Sequence, residues 1–201
     1  MTQATYLFDP LCGWCYGAAP ALRALAETPG IDLDLVPTGL FSGAGARPMD
    51  DGFAAYAWTN DQRIEKLTGQ PFSTAYRDQV LADRTRAFDS GPATLALVAM
   101  ALTKPEQVRP ALQAIQHARY VEGRDVTDLG VLAALGLDAV PDAALRAATA
   151  ARTARAQALM RSVGAQGVPS LVVTTGGVPR LVPGSLLFGP PQTLVAQLQA
   201  T

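Results

Sequence analysis

Cys12-Gly13-Trp14-Cys15 holds the only two cysteines of the chain. They stand at the start of a stretch that reads as a helix. Ahead of them, Ala4-Thr5-Tyr6-Leu7-Phe8 is apolar and rich in strand formers. After them, the later part of 16–25 repeats its apolar residues at helical spacing. A strand running into a helix with both thiols in its first turn has a definite chemical consequence. The unpaired N–H groups and the positive dipole end favour a thiolate at Cys12. Cys15 lies one turn on, on the same face, within reach of a mixed disulfide at Cys12. The expected chemistry is dithiol–disulfide exchange, with Cys12 attacking and Cys15 resolving. A closed zinc site needs further Cys or His ligands. The chain has a single histidine, His117, and no third cysteine, so no metal is expected.

Four further residues stand out around this pair. Asp9 precedes Cys12 and has two readings: a proton acceptor for the thiols, or a turn-forming acid capping the start of the helix. Trp14 sits between the cysteines, either to pack against substrate or to lie half-buried beside the site. Gly167-Val168-Pro169-Ser170 comes directly before a later strand. Proline there has no N–H and a fixed φ, which suits a tight loop. The backbone of Val168 is then free to pair with an extended peptide as an added strand.

The elements that must position these residues follow from periodicity and punctuation. Residues 5–8 and 31–36 read as strands, the second with clean alternation of Ile31, Leu33 and Leu35 against Asp32 and Asp34. The helix between them contains Pro20, which kinks it or starts it afresh. This β–α–β unit predicts two parallel strands. A Gly/Pro-rich loop follows, and then helices are expected at 50–67, 73–82, 92–102, 105–121, 127–135 and 142–163. Proline at first-turn positions and glycine past the ends mark several of them. Strand character returns at 171–175. Gly176-Gly177 signals a hairpin into 178–183, and a last helix is expected at 192–199. The expected class is α/β: a thioredoxin fold (1–43 and 165–201) with a large all-helical domain (44–164) inserted between its second and third strands.

Composition narrows the function. With 201 residues, about half of them hydrophobic, and a formal charge of −1, the chain has material for a sizeable core. It lacks the basic excess of a nucleic-acid binder. No apolar run reaches the length of a membrane span. The opening residues lack the basic and apolar regions of a signal peptide. The expected compartment is therefore the cytoplasm, where a thiol pair cycles rather than stores a disulfide.

Asp9-Pro10-Leu11-Cys12-Gly13-Trp14-Cys15-Tyr16-Gly17, with Arg47-Pro48-Met49-Asp50, the 120–128 segment and Gly167-Val168-Pro169-Ser170, resembles the DsbA family of thioredoxin-fold oxidoreductases. More narrowly, it looks like the cytoplasmic, FrnE-like branch of protein-disulfide isomerase-like proteins, and the likeness covers nearly the whole chain. The resemblance implies a cis Val168–Pro169 bond packed beside the sulfurs. It also implies disulfide-containing protein or small-molecule thiol substrates and no bound cofactor, with glutathione as a candidate redox donor. It leaves the oligomeric state open. One departure matters. The strong oxidants of this family carry a histidine beside the second cysteine, whereas Gly13 and Trp14 bring no cation. A reductase or isomerase is expected rather than a strong oxidant. Two rivals remain: a glutathione-dependent, kappa-like transferase or isomerase of small molecules, and a chaperone-like binding module. The first is disfavoured by the intact cysteine pair.

Two groups of residues carry paired readings. Arg146, Arg152, Arg155 and Arg161 on one helix either hold an anion or form a solvated face. Tyr16, Phe41, Met49 and Phe53 either line an apolar groove near the sulfurs or pack the interior. His117 reads as structural, with no ligand partner nearby in sequence.

Overall fold

A computed structural model describes residues 2–199; residues 1, 200 and 201, at the ends of the expected thioredoxin segments, lie outside it. Strand β1 (Thr2–Phe8) begins earlier than its apolar core suggests, because Thr2–Ala4 also pair with the next strand. After it come α1 (Gly13–Gly17), α2 (Ala19–Ala26) and β2 (Ile31–Pro37). Pro20 divides the expected single helix: it stands in the first turn of α2, where its missing N–H leaves no hydrogen bond unmade. β1 and β2 are parallel, with Tyr6 opposite Leu35.

The insert carries β3 (Arg47–Pro48), α3 (Asp51–Thr68), a π-type turn (Tyr76–Leu81), β4 (Ala87–Phe88), α4 (Gly91–Thr103), α5 (Val108–Tyr120), α6 (Leu129–Ala134) and α7 (Ala143–Val163). Asp50, Asp128 and Asp142 cap α3, α6 and α7 by accepting backbone N–H bonds. The insert is helical except for the antiparallel pair β3–β4. Two residues per strand are too few to show alternation, and the partners are far apart in sequence, so periodicity could not reveal them. The chain returns through β5 (Ser170–Thr175), β6 (Val178–Leu181) and α8 (Pro191–Gln199). The sheet order is β2-β1-β5-β6, with β5 antiparallel to both neighbours.

Both faces of the sheet are covered. Tyr6, Phe8, Leu35 and Leu171 face a core shared with Cys12, Cys15, Leu22 and Leu25 of the α1–α2 side. Leu7, Val36 and Val172 face the other way, against Ala156, Leu159 and Met160 of α7. That double burial explains why the centre of β1 is a continuous apolar run. The second half of α7, which belongs in sequence to the insert, thus covers one face of the thioredoxin sheet. Arg152 of α7 is half-buried there, bonding Asp34 at 2.7 Å and the Leu35 carbonyl at 3.2 Å.

Candidate active site

Cys12 is the N-cap of α1, with extended backbone (φ −84°, ψ 116°), and Cys15 lies within the helix. α1 has only five residues. Its macrodipole is therefore that of little more than one turn, and the Cys12 side chain accepts no capping hydrogen bond from the N–H groups of α1. Cys12 is 7% exposed and Cys15 1%. Cys12 is thus largely buried, but it is the cysteine that lines a groove, and Cys15 is sealed from it. Burial pushes the Cys15 thiol well above its ordinary range, and the adjacent Cys12 sulfur adds to the effect.

The loop before β5 closes over this pair. Val168–Pro169 is cis. The Cys12 thiol donates to the Val168 carbonyl at 3.7 Å. Residues far apart in sequence thus meet at one sulfur, because β5 lies beside β1 in the sheet and delivers its leading loop to the start of α1. Trp14 packs edge-on against Phe188, with centroids 5.2 Å apart, and it also lines the groove.

Asp9 is fully buried and its carboxylate is occupied. Oδ1 accepts from the Leu11 N–H at 2.9 Å. Oδ2 accepts from the Phe41 N–H at 3.0 Å and the Ser90 hydroxyl at 2.7 Å. Of the two readings of Asp9, the turn is what these bonds build, and they also pin the insert to the segment leading into Cys12. Burial raises its proton affinity, against the pull of the three donors.

The groove encloses about 130 Å³ between α1 and the insert, lined by Leu11, Cys12, Gly13, Trp14, Phe41 and Phe53, with Tyr56, Ala57, Asn60, Asp61, Ile64, Tyr76, Phe88 and Tyr120 completing the wall. Of the four apolar candidates, Phe41 and Phe53 line it. Tyr16 is instead stacked on Tyr120 (4.8 Å between centroids), and Met49 is buried in the core. The Tyr120 hydroxyl donates to the Leu11 carbonyl at 2.8 Å. The Tyr6 hydroxyl donates to the Cys15 carbonyl at 3.2 Å. These two buried bonds hold the backbone on either side of the dipeptide, each adding about 1 kcal/mol of net stability.

Sequence reasoning did not single out Asp61, Tyr76, Arg119 or Tyr120. Asp61 is 5% exposed, and its Oδ2 accepts from the Tyr76 hydroxyl at 3.1 Å. Burial raises its carboxyl to about 7, against the lowering effects of Tyr76 and Arg119. Arg119 is 1% exposed, over the rings of Tyr76 and Phe88, with Nε and Nη2 lacking hydrogen-bond partners. A signal existed: Asp61 falls on the α3 stripe of Ala54, Ala57, Trp58 and Ile64, and Arg119 on the α5 stripe of Leu112 and Ile115. A charge on a buried stripe needs a partner.

His117 is exposed, with Nδ1 3.2 Å from the Glu122 carboxylate, away from the groove. Arg146, Arg152, Arg155 and Arg161 lie on α7, across the sheet from α1. Among the described residues, no group of His, Cys, Asp and Glu is arranged to hold a metal, and no helix is long and apolar enough to cross a membrane.

Gly13 leaves no room for a side chain unless Asp61 shifts. A Cβ there would collide with Asp61 Oδ1 and press on Ile64. Gly13→Ala should force α1 and α3 apart and destabilise the fold by about 1–3 kcal/mol, read as a lower urea midpoint. An unchanged midpoint would mean that the α1–α3 contact gives way freely.

Comparison with known proteins agrees with this fold. The cytosolic disulfide reductase DsbM from Pseudomonas aeruginosa superposes with a TM-score of 0.83, at 33% identity over 99% of this chain and 100% of that one. Its structure with glutathione matches equally well, at 34% identity over 98% of each chain. A proposed protein disulfide isomerase from Nitrosomonas europaea gives a TM-score of 0.78 at 25% identity, over 99% of this chain and 96% of that one. No curated protein sequence matches the chain significantly. The family model of the DSBA-like thioredoxin domain matches residues 5–198, so the chain belongs to the DsbA-like thioredoxin-domain family.

Proposed function

We propose that this thiol–disulfide oxidoreductase works as a disulfide reductase or isomerase, with Cys12 as the attacking thiol and Cys15 as the resolving one. The observation that carries the reading is the meeting of Cys12 Sγ with the Val168 carbonyl where Cys12 lines an apolar groove, with Cys15 buried out of reach of it. A substrate disulfide enters along Phe41, Phe53 and Trp14 and lies against the Val168–Pro169 backbone. Cys12, as thiolate, attacks one substrate sulfur, and the other leaves as a thiolate that takes up a proton. Cys15 then loses its proton and attacks Cys12. This releases the second substrate thiol and leaves a Cys12–Cys15 disulfide. The substrate disulfide has gained two electrons and two protons, and the enzyme pair has lost them.

Glutathione is the proposed electron donor, supported by the likeness to DsbM, which has been solved with glutathione. The substrates are disulfide-bonded proteins or small-molecule disulfides. A cytoplasmic setting is proposed on the same likeness to a cytosolic reductase. In such a setting the pair is returned to the dithiol by the surrounding thiol pool.

The direction of flow rests on charge. Gly13 and Trp14 bring no cation to the sulfurs, so the reduced form lacks the stabilisation that makes a strong oxidant. Equilibration in glutathione buffers, with the oxidised fraction quantified, should give a potential between about −180 and −270 mV, in the range of isomerases and reductases. A value near −120 mV, that of a strong periplasmic oxidant, would overturn the assignment.

A further inference from the structure

We propose that Asp61 is the proton-exchanging carboxyl of the groove, taking the proton that Cys12 gives up on attack and returning it to the substrate sulfur that leaves. The inference rests on the reading of Cys12 as the attacking thiol. Asp61 comes from the insert, not from the thioredoxin unit, and it lines the same groove as Cys12. Its Oδ1 lies against Gly13, the residue that follows the attacking cysteine. The groove has room for water to carry a proton between the two groups. Asn60 also lines the groove, but its side-chain amide is engaged with the Tyr56 carbonyl and has no proton to exchange at neutral pH.

The surroundings of Asp61 suit this task. Tyr76, from the π-type turn, donates to Oδ2 and leaves Oδ1 free of any protein hydrogen bond among the described residues. Arg119 and Tyr120 face it from α5, and Asp125 acts on Arg119 in turn. Glu65, the next acid along α3, is engaged elsewhere, accepting from the Phe72 N–H. From α1 the ionisable neighbour along the groove is Cys12. Burial disfavours the carboxylate, while Arg119 and the Tyr76 hydroxyl favour it, and the balance falls near neutrality. A group poised there can both accept and donate a proton at the pH of the cell.

The step balances. Cys12–SH and the Asp61 carboxylate give Cys12–S⁻ and the neutral acid. The thiolate bonds to one substrate sulfur as the S–S bond breaks. The departing thiolate takes the proton from Asp61, which returns to its starting form. The electrons come from the enzyme dithiol, as in the exchange itself.

The test is the rate at which the reduced protein attacks oxidised glutathione, followed from pH 5.5 to 8.5. Asp61→Asn keeps an acceptor for Tyr76 and removes the titrating group. It should lower the rate at pH 7 by about a hundredfold and erase the inflection near neutrality. The fall should be smaller with an aromatic disulfide, whose leaving thiolate needs no proton. Tyr76→Phe removes a bond that favours the carboxylate and should move the inflection to higher pH; it decides the matter if Asp61→Asn does not fold. A folded Asp61→Asn protein with the wild-type rate and pH profile would overturn the proposal, as would a Tyr76→Phe profile that does not move. Cys12→Ser separates the two readings. If that variant still exchanges, the assignment of the attacking thiol has failed, whatever Asp61 does.

Discussion

Cys12→Ser should reduce disulfide exchange to background, and Cys15→Ser should turn the protein into a trap for its own substrates. A serine hydroxyl is not ionised at neutral pH and does not attack a disulfide sulfur. Cys15 cannot take over, because it is sealed from the groove and its thiol is held protonated by burial. Without Cys15, Cys12 still faces the groove and attacks, but nothing inside the protein attacks back. The mixed disulfide then persists and can be isolated with its partner by non-reducing electrophoresis and mass spectrometry. Limiting alkylation of the reduced wild type at mildly acidic pH should label Cys12 before Cys15. Faster labelling of Cys15, or a folded Cys15→Ser protein that traps nothing, would reverse the roles.

Keeping an acid at the groove should make stability fall as pH rises through the mildly acidic range. Burial raises Asp61 from 3.8 to about 7. Between those values the native state holds a proton that the unfolded chain has released. The contribution of Asp61 to stability is therefore fully present below about pH 4 and is lost as pH climbs toward 7. The loss is on the order of 4 kcal/mol at most, since each tenfold gain in proton affinity on folding is worth about 1.4 kcal/mol. Asp9 is raised too and acts in the same direction. A second decline is expected above about pH 9, where the unfolded chain frees the Cys15, Tyr6 and Tyr120 protons that the fold retains. Urea midpoints at pH 4.5 and pH 8 test the first window. Asp61→Asn should be more stable than the wild type at pH 8 and lose that advantage at pH 4.5. An equal difference at both values would show that Asp61 does not titrate between them.

The pH dependence of stability and the proposed proton exchange share one physical origin. Asp61 sits on the apolar stripe of α3, where a leucine would pack without an ionisation cost. Its carboxylate is tolerated because Tyr76 donates to it and Arg119 lies close by. Arg119 is in turn covered by the rings of Tyr76, Phe88 and Tyr120. The aromatic wall of the groove thus also holds the charges behind it at low dielectric, where their mutual influence is strong.

Local signals in the amino-acid sequence determined the β–α–β start, the break at Pro20, the Cys12/Cys15 pair at the helix start, the Gly176-Gly177 hairpin, and most helix limits to within a few residues. Each depends on contacts a few positions apart: the 3.6 and 2.0 periodicities, the missing N–H of proline, a cap. Tertiary structure decided the rest. It placed Val168 against Cys12, laid the second half of α7 on the sheet, paired β3 with β4, and set how deeply Cys12 is buried. It also brought Asp61 of α3, Tyr76 of the π-type turn and Tyr120 of α5 to the groove, with Arg119 of α5 behind the aromatic rings. Sequence periodicity shows that a residue such as Asp61 faces inward, but its proton affinity depends on what fills the space opposite, and helices packing across long loops set that.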